Sequence, residues 1–267
     1  MSIRLGRIPY LNSEVFYQDF PLDLVELLDL VPSQLSRAAR RGEIDVGPVP
    51  IVTCFELEDQ FMPLGDFGIA VKDKAMSVLF FSKRPIEELD GSRIGITGES
   101  STSVRLLKIL LQRRYGVRPA HYVSTTDTKT DGILLIGDAA LNNRRGLPSY
   151  PLVHDLGEMW VEWTGLPFVF ARWIVRRDLN PEAVDFLIKI IDKSLERGLG
   201  RIDQIAARRS DLSMSVDEVR AYLHGFKYVF GPKEKDGIEL FRNYLEAEDR
   251  ESAAADSSAI REARNAG

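Results

Sequence analysis

An α/β fold of two lobes, the middle lobe inserted into the other and a ligand cleft between them, is the architecture this sequence predicts. Three observations lead there. Short apolar strands alternate with helical patterns through the first two thirds of the chain, residues 84–173 carry enough of both to close an α/β unit of their own, and the patterning beyond residue 175 turns wholly helical. A chain of 267 residues also exceeds the usual single domain. The expected division is a discontinuous lobe of residues 1–83 and 174–246, an inserted lobe of 84–173 and a tail of 247–267, with 77–83 and 168–175 as crossing strands.

Residues 3–8 alternate apolar and polar side chains, then run into Pro9-Tyr10-Leu11-Asn12-Ser13, where proline and the Asn-Ser pair signal a loop. Open α/β sheets bind ligands beyond the carboxyl ends of their strands, which makes Asn12 a candidate contact. It is equally well placed to cap residues 14–20. Residues 24–30 read as a second strand, followed by a helix that opens at Pro32 or Ser33 and stops at Gly42. Residues 44–50 form a buried strand stiffened by Pro48 and Pro50, and 51–57 a short helix. That helix holds the single cysteine, Cys54, whose apolar neighbours favour a buried, inert thiol. Strand-like pairs over 61–70 are broken by Gly65 and Gly68, and 77–82 is a strongly apolar strand that opens on the hydroxyl of Ser77.

The stretch 94–111 reads as strand, glycine-flanked turn and hydroxyl-rich helix start. Ser100, Ser101, Thr102 and Ser103 offer N-cap oxygens ahead of an apolar helical run. Unpaired N–H groups and the helix dipole make such a start a candidate site for a carboxylate or phosphate; a plain cap is an equal reading. Gly116 ends the helix and 121–124 is a strand. The strand 133–136 meets Gly137-Asp138, where Asp138 caps the next helix or binds a donor, capping being the favoured reading. Trp160 and Trp163 share a helical face before Gly165 and Pro167 break it. Helices follow over 181–195, 202–207, 215–223 with a Ser215/Glu218 capping box, and 237–245. Beyond Ala247 only Ile260 is large and apolar, so a mobile or loosely helical tail is expected.

Composition excludes several functions. A net charge of −5 argues against sequence-independent nucleic-acid binding. No apolar run approaches the ~20 residues that span a bilayer, and the N-terminus lacks a signal-peptide core, so a soluble, cytoplasmic protein with no membrane partner is expected. His121, His154 and His224 lack metal-ligand spacing, and the G-x-G-x-x-G, P-loop and G-x-S-x-G signatures are missing. Residue chemistry alone stops at a two-lobed binder of a small anion.

Several motifs, in order, carry it further: Tyr10-Leu11-Asn12, Gly47-Pro48-Val49, Met76-Ser77, the run from Ser101 to Leu106, Leu135-Ile136-Gly137-Asp138-Ala139-Ala140-Leu141, Asp155-Leu156-Gly157 with Trp160, and the run from Trp163 to Phe170. Together they resemble the chorismate dehydratase family of the futalosine route to menaquinone, over residues 3–245. The resemblance implies a type II periplasmic-binding-protein-like fold and a hydro-lyase that converts chorismate to 3-[(1-carboxyvinyl)oxy]benzoate without cofactor or metal. It places Asn12 and Ser77 at the reacting ring, with Val49, Ser101, Thr102, Ser103, Asp138 and Thr164 as candidate substrate contacts. Two positions depart from the family pattern: Val15 stands where proline is frequent, and residues 72–76 lack a glycine often found there. The alternatives are a small-carboxylate-binding protein of the same fold, or the related naphthoate-forming lyase, which uses a catalytic histidine.

Overall fold

The computed structural model describes residues 3–21 and 24–265, with side chains through Glu251. Strands β1 (Ile3–Arg7), β2 (Val25–Asp29) and β3 (Val46–Pro50) lie parallel, with β1 in the middle. Helix α1 (Pro32–Arg40) carries the chain from β2 to β3; Pro32 opens it, and Leu35, Ala38 and Ala39 form its buried face. After α2 (Ile51–Glu56) the chain returns as β4 (Phe61–Val71), which extends through both glycines.

The second sheet follows. It contains β5 (Val78–Ser82), β6 (Arg93–Ile96), β7 (His121–Ser124), β8 (Gly132–Ile136) and β9 (Leu152–Asp155), in the order β7-β6-β8-β5-β9. Its helices are α3 (Ser101–Ile109), prolonged by a π-helical turn over Leu110–Arg114, α4 (Gly137–Asn142) and α5 (Leu156–Thr164). β10 (Phe168–Arg176) then re-enters the first sheet between β3 and β4, antiparallel to both. Helices α6 (Pro181–Gly200), α7 (Ile202–Arg208) and α8 (Val216–His224), strand β11 (Phe226–Val229) and helix α9 (Pro232–Asn265) complete the chain.

Both sheets are mixed rather than purely parallel, because β10 and β5 run against their neighbours. The region expected to be wholly helical contains β11, which pairs with the edge of β4; its alternating burial is strand-like but spans only 4 residues. β5 belongs entirely to the second sheet and β10 entirely to the first. The chain therefore passes between sheets over 72–77 and 165–167, outside these strands. Residues 247–251 continue α9, where Arg105 pairs with Glu248 and Asp249, and Arg113 with Glu251. Asp249 and Glu251 remain largely exposed in these pairs.

A 3-10 helix over Leu11–Tyr17 leaves the carboxyl end of β1. Phe16 packs edge-on against Trp173 and Tyr228 at 5.3 and 5.6 Å. Its fit against α6 is tight: a Cβ on Gly198 would lie 2.0 Å from the Val15 carbonyl oxygen. Val15, at the position where proline is frequent, is fully buried, so packing holds this turn.

Gly198→Ala separates two effects of opposite sign. Helix propensity alone would stabilise α6 by roughly 1 kcal/mol. The backbone of Val15 has no room for the methyl, and overpacking of this kind costs about 1–3 kcal/mol. A lowered melting temperature is expected; a raised one would show that the turn yields freely.

Candidate functional site

A narrow cleft, with a cavity of about 50 Å³, opens between the two sheets. The first sheet and its loops contribute Ile8, Tyr10, Asn12, Pro32, Pro50, Ile69, Phe170 and Ala171; the other wall is Ser77, Val78, Ser100, Ser103, Ile136 and Gly137. Among the described residues, no Asp, Glu, Lys, Arg or His lines it.

Asn12 sits in the first turn of the 3-10 helix, yet Tyr10 is the N-cap residue and no side chain caps the helix. Capping is thus not its role. Its Oδ1 is buried without a hydrogen-bond partner among the described residues. An unsatisfied buried acceptor costs about 1–3 kcal/mol, so this oxygen is poised to receive a donor from a ligand.

Ser77 is placed by the crossover into the second sheet. Met76, just before it, has φ 55°, a left-handed conformation that glycine adopts without strain and methionine does not. Asp155 holds it there. Its Oδ2 accepts the Met76 N–H at 2.6 Å, and its Oδ1 accepts from Ala75 at 3.0 Å while capping α5 through the N–H groups of Gly157 and Glu158. Burial pushes the Asp155 carboxyl up, with these four N–H groups pulling against it. The Ser77 carbonyl accepts the Gly137 N–H at 2.8 Å. The Ser77 Oγ donates to the Ala75 carbonyl at 3.2 Å and accepts from the Tyr222 hydroxyl at 2.9 Å.

At the start of α3, Ser100 is the cap: its Oγ accepts the Ser103 N–H and hydroxyl, both at 3.2 Å. Ser100 and Ser103 therefore bring hydroxyls to the cleft beside the positive end of α3. Thr102 turns away, its Oγ1 accepting the Val52 N–H of α2 at 3.3 Å. Ser101 faces a separate depression beside Arg105 and Arg242. Val49 is wholly buried in the core beneath α1. Asp138 neither caps α4 nor lines the cleft; it pairs with Arg209 at 2.6 Å. Thr164 finishes α5, donating to the Trp160 carbonyl at 2.9 Å and accepting the Leu166 N–H at 3.1 Å. Of the candidate residues, Asn12, Ser77 and Ser103 are brought together.

The sequence reading missed Tyr10 and Gly137 as cleft residues, and Asp155 and Tyr222 as supports of Ser77. Asp155 carried a readable signal, an aspartate immediately before a helix; Tyr222, 145 positions from Ser77, carried none. Contacts between the lobes ring the cleft. The Tyr10 hydroxyl donates to Glu99 at 2.9 Å, and the Ser33 N–H to the Glu99 carbonyl at 2.8 Å. Arg209 bridges Glu14 at 2.7 Å and Asp138 at 2.6 Å. Asp211, with Asp138 and Glu14, holds the Arg209 guanidinium above its ordinary range.

The other reactive groups lie elsewhere. His154 contacts Ser82 at 3.0 Å and stacks on Phe80, and burial pulls its pKa down. Burial pushes the Cys54 thiol up to about 12, which suits an inert residue. Among the described residues no cluster of three His, Cys, Asp or Glu could hold a metal, and no helix is long and apolar enough to cross a membrane.

The family model described as menaquinone biosynthesis matches residues 3–247. A chorismate dehydratase of Thermus thermophilus is 30% identical over 260 residues, covering 90% of this chain and 94% of the relative. A 1,4-dihydroxy-6-naphtoate synthase of the same organism is 26% identical over 268 residues, covering 95% and 96%. Among solved structures, protein AF1704 of Archaeoglobus fulgidus superposes with TM-score 0.74 at 19% identity, covering 93% of this chain and 98% of that one. The periplasmic aliphatic sulphonate binding protein of Escherichia coli superposes with TM-score 0.61 at 15% identity, covering 93% and 87%. At these identities the structural likeness is one of fold, the two-lobed periplasmic-binding-protein arrangement.

Two substitutions grade the Asp155 clamp. In Asp155→Asn the oxygen can keep the three bonds of Oδ1, but the amide nitrogen then faces the Met76 N–H; a loss of about 1–3 kcal/mol is expected in urea unfolding. Asp155→Ala removes all four acceptor bonds and should cost about 3–5 kcal/mol. Equal stabilities for wild type and both variants would remove the clamp from the account of Ser77.

Proposed function

The chain belongs to the menaquinone biosynthesis family, and on that premise we propose that it is a chorismate dehydratase, a carbon-oxygen hydro-lyase releasing 3-[(1-carboxyvinyl)oxy]benzoate and water. The observation that carries the proposal is the unpartnered Oδ1 of Asn12, buried in a cleft without an ionised wall. Chorismate as a dianion has one hydrogen-bond donor, its ring hydroxyl, and that hydroxyl is the group that must leave. Docked on Asn12 Oδ1 it satisfies the orphaned acceptor and sets the carbon-oxygen bond in a fixed direction.

The chemistry then asks little of the protein. The C3–H bond breaks, its electron pair forms the C3–C4 double bond of the aromatic ring, and the C4 oxygen leaves with a proton as water. This balances without oxidant or reductant, so no cofactor is required. Because no side-chain base lines the cleft, the enolpyruvyl carboxylate of the substrate takes the C3 proton. Ser77, Ser100 and Ser103, together with the start of α3, supply dipoles to the carboxylates and the departing oxygen. A dry, uncharged wall strengthens each of these interactions. The naphthoate-forming alternative needs a histidine at the substrate, and none of the lining residues is one. The proposal places the protein in the cytoplasm with a small-molecule substrate.

Incubation with chorismate should yield the aromatic product, read by its absorbance and proton spectrum; no product from folded protein overturns the activity. Asn12→Asp keeps the shape but sets a negative charge against a dianion and removes the amide's donor. Turnover should fall by about 10²–10³, with the melting temperature nearly unchanged. Near-normal turnover would remove Asn12 from the mechanism.

A further inference from the structure

We propose that Tyr222 is a positioning residue for the dehydration: by donating its hydroxyl proton to Ser77 Oγ from behind, it turns the Ser77 proton toward the oxygen leaving in the cleft. The inference deepens the proposed function and rests on it.

Tyr222 lies on α8, in the part of the chain that packs on the first sheet, whereas Ser77 ends the crossover and immediately precedes β5 of the second. Both are almost wholly buried, at 2% and 3% exposure. The Tyr222 ring is set edge-on against Phe226, with centroids 5.0 Å apart, and its hydroxyl reaches Ser77 Oγ at 2.9 Å. A serine hydroxyl has one proton and two lone pairs. Tyr222 engages one lone pair, and the proton goes to the Ala75 carbonyl at 3.2 Å. That second bond is weak. Hydroxyl-to-carbonyl bonds usually measure about 2.7–2.8 Å, and the same carbonyl already accepts the Ser77 N–H at 2.6 Å. Rotation about the Ser77 Cβ–Oγ bond therefore frees the proton for a better acceptor in the cleft, and the Ala75 carbonyl keeps a partner.

With substrate present the chain runs Tyr222 O–H to Ser77 Oγ, then Ser77 O–H to the C4 oxygen. Hydrogen bonds in series polarise one another, so the Ser77 proton becomes a better donor as negative charge grows on the leaving oxygen. Neither residue gives up its proton. The C3 proton passes to the substrate carboxylate and on to the departing hydroxide, and the balance closes as chorismate to aromatic product plus water. Burial keeps Tyr222 a phenol throughout, well above its ordinary pKa range. Because the bond spans the two lobes, Ser77 is aligned only when they are together.

The test is a double-mutant cycle on the full-length protein with chorismate: wild type, Tyr222→Phe, Ser77→Ala and the double variant, each with steady-state kinetics and a melting curve. Tyr222→Phe should lower kcat about tenfold with KM within about twofold. In the Ser77→Ala background the same change should have less than about a twofold effect, because its route is gone. Ile86→Val trims a buried side chain outside the cleft lining; it should lower stability and leave kcat in place. A Tyr222→Phe variant as fast as wild type, effects that multiply in the double variant, or an Ile86→Val variant as slow as Tyr222→Phe would each overturn the inference alone. Wild-type protein that leaves chorismate unchanged overturns the activity reading and this inference with it.

Discussion

One buried carboxylate organises the passage between the lobes. Asp155 gathers four backbone N–H groups, two from the crossover and two from the first turn of α5. A helix start left uncapped and a crossover left unpaired would each bury unsatisfied donors; a single side chain answers both. The same bonds hold Met76 in its left-handed conformation, one that glycine adopts without strain. Where glycine would make the turn by freedom, this chain makes it by constraint. The direction in which Ser77 enters β5 follows from that turn.

The distribution of charge follows a complementary rule. Ionised groups surround the cleft and do not enter it: Glu99 takes the Tyr10 hydroxyl, Arg209 spans Glu14 and Asp138, and Arg144 reaches Glu218 of α8 at 2.6 Å. Partly exposed pairs of this kind contribute roughly 0–1 kcal/mol each. They favour the closed arrangement without locking it, which suits a site that must admit a substrate and release a product. Inside stand neutral hydroxyls, an amide and a helix start, with no formal charge among the lining residues. A cation there would bind the substrate and product carboxylates alike, whereas dipoles aimed at the leaving oxygen favour the transition state.

Much of the fold was legible in the sequence. The alternation of β1, the apolar runs of β5 and β8, the Pro32 start of α1, the capping box of α8 and the glycine stop after α3 are local signals, and local chemistry decides them. Sheet direction was not legible: β10 is as apolar as a parallel strand would be, and only its partners make it antiparallel. The ion pairs of residues 248–251 were not legible for the same reason, since Arg105 and Arg113 lie far from them along the chain.

The site divides along the same line. By itself the sequence determined which residue types stand at strand ends and helix starts, and so offered Asn12, Ser77 and the hydroxyls of 100–103. Only the tertiary structure decided among them. Ser103 turns to the cleft and Thr102 to α2, because successive residues of a helix point about 100° apart. Asn12 Oδ1 is left without a partner among the described residues, and Tyr222 arrives at Ser77 from 145 positions away. Hydrogen bonding acts over about 3 Å in space and is blind to distance along the chain; the partners of a buried oxygen are fixed when the lobes pack, not when the sequence is written.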